Sequence, residues 1–380
     1  MTVVAAAELD LFASTTRAFL DKEASLAGVR ALHDAGSSFE RPWWRQAAEL
    51  GWTALLVPEE LDGGSASGDG VRDLAVVSSL IGRTVAPGPL HPVSTVLAAL
   101  VDADNRDTHA PLIADLLCGQ VVAAWAVYEP DKPWAPTEPL LEATPTATGF
   151  RLDGEKDRVE AGTDCDVVLA VARCQGAVRQ FVVPMDAAGC SRVREPSIDL
   201  VKGYAQIRFD GVELGHDAVV GSQEQTCDLI EWQSQIALVL QCSELVGILE
   251  AVLTMTIQWA QDRHSFGRPL GSYQALKHRF ADMKTWFEAC RAATAGAVAA
   301  VGARRADAAV SASIAKSFVA DRATAIIQDC IQLHGGIGVT WEHDLHLYLR
   351  RATLYRAMFG TPEHHNLAVY AHRQTTPSRN

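Results

Sequence analysis

The feature that most limits the fold of this chain is a double change of hydrophobic period. Up to about residue 118, apolar residues recur at helical spacing through Leu9, Phe12, Phe19 and Leu20, then from Trp43 to Leu50 and from Val71 to Ile81. A loop-forming stretch, Pro58-Glu59-Glu60-Leu61-Asp62-Gly63-Gly64-Ser65, interrupts them. From Gln120 the pattern becomes short apolar or alternating runs: Val121–Val127, Val167–Val171, Phe181–Pro184 and Ala205–Phe209. Turns rich in Gly, Pro and Asp separate these runs, as in a compact β-domain, and Asp153-Gly154-Glu155-Lys156 reads as one such turn. Beyond about Ser222 the helical period returns in four amphipathic runs, Asp228–Arg263, Ser272–Val301, Asp307–His334 and Leu345–Phe359. The fold class is therefore α+β multidomain. It comprises an N-terminal helical domain at 1–118, a central β-barrel-like domain at 119–222 and a C-terminal four-helix bundle at 223–380, with disorder expected for Gln374 to Asn380.

Bulk properties narrow the function. A chain of 380 residues exceeds one ordinary core, and its net charge of -13 argues against nucleic acid as the main partner while leaving room for a local basic pocket. No window offers roughly 18 uninterrupted apolar residues, so no membrane span is expected. The segment Met1 to Asp10 lacks the basic and long apolar regions of a signal peptide. Eight scattered cysteines without a C-x-x-C pair fit reduced, mostly buried thiols of a cytoplasmic protein.

The chemistry concentrates in the last third. Gln332-Leu333-His334-Gly335-Gly336-Ile337-Gly338 reads as a helix end breaking into a glycine-rich turn. It lies downstream of Arg263-His264-Ser265-Phe266-Gly267. Glycines let backbone N–H groups approach a bulky anion, and an arginine neutralises phosphate. Alone, Gly-Gly-x-Gly is an ordinary helix cap; the pairing on helical flanks points to a phosphorylated ligand.

Five motifs in order resemble the acyl-CoA dehydrogenase family along essentially the whole chain. These are Leu50-Gly51-Trp52-Thr53-Ala54-Leu55-Leu56-Val57-Pro58-Glu59-Glu60 with Gly63-Gly64; Phe209-Asp210-Gly211-Val212 with Val219-Val220-Gly221; Arg263-x-x-Phe266-Gly267-x-Pro269-Leu270 with Gln274 and Ala281-Asp282-Met283; Gln332-x-x-Gly335-Gly336-x-Gly338; and Leu349-Arg350-Arg351-Ala352. The resemblance implies that family's fold and FAD as cofactor. It also implies an acyl-CoA thioester as substrate, dehydrogenated at its α,β carbons by a carboxylate base and flavin N5, with electron-transfer flavoprotein as acceptor.

In this family one FAD is shared between two subunits, which divides the motifs. The set that reaches a neighbour's cofactor is intact: Arg263, Phe266, Gln274, Gln332, Gly335 and Gly336. The set that holds the subunit's own flavin ring is altered. Where the family carries Thr-Glu-Pro and a Gly-Ser turn, this chain has Tyr128-Glu129-Pro130-Asp131-Lys132-Pro133-Trp134; proline has no N–H to donate, and tryptophan fills the space. Arg158-Val159-Glu160 stands for Trp-Ile-Thr, while Thr361 and Glu363 survive. The usual base positions hold Phe359 and Ala237. Glu244 is the in-chain candidate for a base, seven residues beyond Ala237 and within about 20° of its helical face, but about 10 Å further along the axis at 1.5 Å per residue. Glu231 points about 120° away. Glu244 as a carboxylate paired inside the bundle is the competing reading.

The split implies a subunit that completes a partner's FAD site without running its own. Gly335 to Asp344 is similar to actinobacterial members of the family, some of which act in sterol or bile-acid catabolism as α2β2 assemblies whose β-type chains lack the base. Three alternatives stay open. One is a self-sufficient homotetramer using Glu244, another a flavin monooxygenase of the same fold, and the third a non-catalytic scaffold. His343, His346, His364 and His365 show no metal-ligand spacing. Arg350-Arg351 reads as a structural salt-bridge element near a helix end.

Overall fold

The computed structural model of the chain describes residues 3–375. Six helices come first: α1 (Val3–Glu23), α2 (Leu26–Asp34), α3 (Arg41–Glu49), α4 (Gly70–Thr84), α5 (Leu90–Asp102) and α6 (Ala110–Leu117). Strands β1 (Ala123–Ala126), β2 (Glu142–Pro145), β3 (Gly149–Glu160), β4 (Val167–Cys174), β5 (Ala177–Pro184), β6 (Cys190–Glu195), β7 (Tyr204–Gly215) and β8 (Val219–Val220) follow. The rest is helical apart from one hairpin: α7 (Thr226–Asp262), β9 (His264–Ser265), β10 (Arg268–Pro269), α8 (Gln274–Gly302), α9 (Ala308–His334), α10 (Leu345–Ala357) and α11 (Pro362–Thr375). The order helical, sheet, helical is the one the periodicity predicts.

Two details depart from the sequence reading. Helix α11 is an additional element, and it includes Gln374; 376–380, the remainder of the segment expected to be disordered, lie outside the described residues. Its start was legible, because Pro362 occupies the first helical position and Thr361 Oγ1 accepts the His364 N–H at 3.3 Å. The second departure is Asp153-Gly154-Glu155-Lys156, which lies inside the twelve-residue strand β3 rather than in a turn. Gly154 serves close passage there. A Cβ would come 3.1 Å from Leu141 Cδ1 and 3.3 Å from its Cα, at φ +140.

The chain packs as two compact units. One comprises Arg30–Leu74 and Pro87–Ala237 with the early turns of α1; the other comprises Ala13–Val29, Ala75–Ala86 and the chain from Leu238. In the first, eight strands form one sheet in the order β6-β7-β3-β2-β4-β5-β8, with β1 parallel to β4. The path ends on β6 and β8, so among the described residues hydrogen bonding does not close it into a barrel. Helix α5 is buried from Leu90 to Val101, which explains its continuous apolar sequence.

In the second unit α9 packs against α8, α10 and α11. Here the C-terminal half of α4 meets α7 backbone to backbone. A Cβ on Gly82 would lie 2.0 Å from the Glu244 carbonyl oxygen, and one on Gly247 would lie 1.8 Å from the Ser79 carbonyl oxygen. Ser78 Oγ donates to Leu240 O at 2.7 Å across the same crossing. Helix α7 is long and apolar enough by composition to span a bilayer, but 83% of its most apolar window is buried within the protein. Its apolarity is used in packing.

Candidate functional site

The residues expected to reach outward form a linked group at one end of the second unit. Arg263 follows the last residue of α7, and its N–H donates to Trp259 O at 2.8 Å. Phe266 and Gly267 then make the two-residue turn of the β9–β10 hairpin, with φ +51 and +79 and Ser265 paired to Arg268. Positive φ at both turn residues is what a twisted two-residue hairpin requires. It leaves Phe266 96% exposed. Tyr273 ties α8 to this hairpin, since its hydroxyl donates to Ser265 O at 2.7 Å while Arg268 lies over its ring at 3.9 Å. The next residue is Gln274, exposed at the first position of α8.

The glycine turn joins the same group. Gly335 caps α9 at φ +66, its N–H donating to Gln332 O. A Cβ added to Gly335 or Gly336 would meet nothing within 4 Å, and Gln332, Gly335 and Gly336 are all exposed. The His334 ring stacks on Trp259 at 5.2 Å and 19°, which brings the turn to the end of α7. The arrangement is an exposed arginine beside open backbone at a helix terminus, a combination suited to an anionic ligand arriving from outside the chain.

The positions expected from the resemblance to hold a flavin ring, in the first unit, are occupied by packing among the chain's own groups. Trp134 packs edge-on against Trp125 at 6.0 Å and lies tilted against Tyr128 at 5.1 Å. Arg158 pins this cluster. Its guanidinium lies 4.4 Å from the Tyr128 ring and donates to Glu129 O and Lys132 O, both at 2.9 Å. Glu129 is buried against Lys156 and accepts from Leu140 N at 2.8 Å; burial lowers the Lys156 ammonium to about 8 against the opposing pull of Glu129. Glu160, where the family carries a hydroxyl donor, is buried with Lys202 Nζ at 2.9 Å and Tyr204 Oη at 3.4 Å.

Glu244 is fully buried and doubly bonded. One oxygen accepts from Arg351 Nη1 and the other from Tyr355 Oη at 2.8 Å, and both partners are themselves buried. Arg351 also donates to Val85 O at 3.4 Å and Tyr348 Oη to Arg83 O at 2.9 Å, which satisfies carbonyls at the end of α4. Arg351 is thus the salt-bridge residue expected, although it sits at the middle of α10 rather than near a helix end. Lys316, buried on α9, donates to Gln241 Oε1, Met358 O and Tyr355 O, and burial pushes it down to about 7. Together with His365, whose Nε2–H donates to Phe359 O at 2.8 Å, it clamps the turn carrying Phe359 at φ +57.

Ala237 is buried, and the exposed Glu231 accepts from Gln235 at 3.2 Å. A backbone N–H at the α11 N-terminus, then the Thr361 hydroxyl and Arg356 at 2.8 Å, hold the Glu363 carboxyl below the ordinary range. Sequence reasoning missed Trp259, His334, Lys316 and Tyr355. Only His334 carried a signal, through its place directly before Gly335.

Comparison with known proteins identifies the family. The acyl-CoA dehydrogenase N-terminal domain model matches residues 6–103 and the C-terminal domain model residues 235–373. The chain is 28% identical over 356 residues to the acyl-CoA dehydrogenase IpdE2 of Mycolicibacterium smegmatis, covering 93% of this chain and 95% of that protein. Among solved structures, the ChsE4–ChsE5 complex of Mycobacterium tuberculosis superposes with a TM-score of 0.87 at 22% identity, covering 100% of this chain and 99% of that one. A Mycobacterium smegmatis glutaryl-CoA dehydrogenase in complex with FADH2 gives 0.87 at 18% identity, with coverage of 98% and 96%. The chain belongs to the acyl-CoA dehydrogenase family, oxidoreductases that act on the CH–CH bond of acyl-CoA.

Proposed function

We propose that this chain is the base-lacking subunit of a hetero-oligomeric, FAD-dependent acyl-CoA dehydrogenase. In this reading Arg263, Phe266, Gln274, Gln332, Gly335 and Gly336 hold the adenosine-diphosphate half of a neighbouring subunit's FAD. The observation that carries it is the contrast between two sets of residues. The outward-reaching set is exposed and open, with no atom in the way of the Gly335–Gly336 backbone. The ring-holding set is taken up by Trp134 packing and by two buried Lys–Glu pairs. The residues present therefore fit the diphosphate half of FAD and not its ring.

Bound FAD supplies the hydride acceptor, and this chain's part is to bind and orient it. Arg263 offsets diphosphate charge, while the Gly335–Gly336 backbone gives close approach. Phe359 and the buried Ala237 present no carboxylate, and Glu244 has both oxygens engaged by Arg351 and Tyr355. Proton abstraction then falls to the partner. A homologous α-type chain in an α2β2 assembly is the partner, and electron-transfer flavoprotein is the acceptor. The substrate is an acyl-CoA with a bulky, sterol-derived acyl group, a reading supported by likeness in fold to the steroid ACAD Tcur3481–Tcur3483, at a TM-score of 0.87 and 24% identity. The setting is cytoplasmic.

The test is to purify the chain alone and measure flavin per polypeptide and acyl-CoA-dependent bleaching. Substoichiometric flavin without bleaching, both restored by a co-purifying homologous chain, is the expected result. Stoichiometric FAD with turnover by the chain alone overturns the proposal in favour of a homo-oligomer.

A further inference from the structure

We propose that Trp259 and His334 are positioning residues that fix Arg263 and the Gly335–Gly336 turn as one preformed unit. The inference rests on the reading above for what that unit binds. Four rings and cations form a continuous pile drawn from three chain segments. The Arg263 guanidinium lies 5.9 Å from the Trp259 ring, Trp259 stacks on His334 at 5.2 Å, and His343 meets His334 edge-on at 4.7 Å. The pile therefore joins the end of α7, the end of α9 and the approach to α10.

Each end of the pile is anchored. His334 Nδ1–H donates to Cys330 O at 2.8 Å, four residues back along α9, so the ring cannot turn without breaking a helix-terminal bond. His343 Nδ1 accepts from Leu345 N at 3.2 Å. Gly338 folds the turn back over His334, since a Cβ there would come 2.9 Å from His334 Cβ. Arg263 hangs on the last turn of α7 through its own N–H bond to Trp259 O.

Inside the pile Trp259 Nε1 and His334 Nε2 are buried without a hydrogen-bond partner. With its Nδ1 proton committed to Cys330, His334 leaves a lone pair at Nε2, and neither ring atom gains polar stabilisation where it sits. Buried polar atoms left in this way are rare in native cores. Hydrogen bonding at these two atoms therefore does not fix the rings; the stack itself does. An anion site needs its donors held within about 0.5 Å, and an exposed arginine side chain is otherwise free to sample many rotamers. The aromatic face limits that sampling through a cation–π contact, while the stack carries the same constraint to the turn.

The test uses the full chain, with the Arg263 side-chain resonances as a direct report of its place over Trp259. In the wild type they should be displaced upfield by the ring. His334→Ala should return them toward the free-arginine position, and His334→Phe, which keeps a stacking ring, should restore most of the displacement. Adenosine diphosphate titrated into the same samples should bind about tenfold more weakly to His334→Ala and within about threefold of wild type to His334→Phe, tenfold being 1.4 kcal/mol. Trp259→Phe and Trp259→Leu repeat the comparison should the alanine variant not fold. Unchanged Arg263 resonances in both His334→Ala and Trp259→Leu overturn the inference. Displaced resonances with no diphosphate binding by the wild type leave the coupling standing and overturn the reading of what the unit binds.

Discussion

Replacing Glu244 with Gln separates a structural carboxylate from a catalytic one. Gln keeps the size of the side chain and an oxygen for the Tyr355 hydroxyl, but removes the negative charge beneath Arg351. Both Glu244 and Arg351 are 0% exposed, and a guanidinium does not shed its proton, so the charge has no escape. Breaking one side of a buried pair costs about 3–5 kcal/mol. At roughly 2–4 °C per kcal/mol for a unit of this size, the melting temperature should fall by about 6–20 °C. The double variant Glu244→Gln/Arg351→Met removes both charges and should be more stable than Glu244→Gln alone, with a coupling of about 1–3 kcal/mol. Thermal unfolding reads the first number and urea unfolding the second, both followed by tryptophan emission. An unchanged midpoint in Glu244→Gln, combined with abolished turnover of the purified chain or its complex, would refute this and make Glu244 the base.

Two further outcomes follow from the packing. Gly82→Ala places a methyl 2.0 Å from the Glu244 carbonyl oxygen, so α4 must shift off α7. A loss of at least about 1–3 kcal/mol is expected in the same unfolding assay, and a neutral result would mean the two helices do not touch there. His365 is buried as a neutral ring, with Nε2–H donating to Phe359 O and Nδ1 accepting from Ser313 Oγ; burial lowers it from 6.5 to about 4. Its folded value lies below its unfolded one, so its contribution is complete above about pH 6.5 and is lost as pH falls toward 4. Stability should drop by about 2 kcal/mol from this group between pH 7 and pH 5. His365→Phe should flatten that slope, and an unaltered slope would exclude His365 as its source.

Much of the architecture was legible because burial and period coincide: α7 to α10 occupy the four helical runs, and the β segment begins where alternation begins. The misread tetrapeptide Asp153–Lys156 shows where composition misleads. Turn-forming residues there serve a glycine that passes close to Leu141 and a lysine that is buried, and neither leaves a periodic trace. The hairpin turn at Phe266–Gly267 and the helix cap at Gly335 were legible through local spacing, since both are local devices. Lys316 and Tyr355 were not, because their partners lie dozens of residues away, and neither was the stacking of Trp259 on His334, for the same reason. Arg351 was readable as a salt-bridge residue, but not that its partner would be Glu244.

The two buried lysine–glutamate pairs of the first unit also tie distant positions to each other. Replacing Glu160 alone leaves Lys202 in the interior without its carboxylate, at about 3–5 kcal/mol for a charge that stays, and the same holds for Lys156 without Glu129. Replacing both members of a pair with apolar residues leaves no charge behind. Each pair therefore behaves as one position under mutation: scanned singly its members read as intolerant, while the paired exchange is permitted.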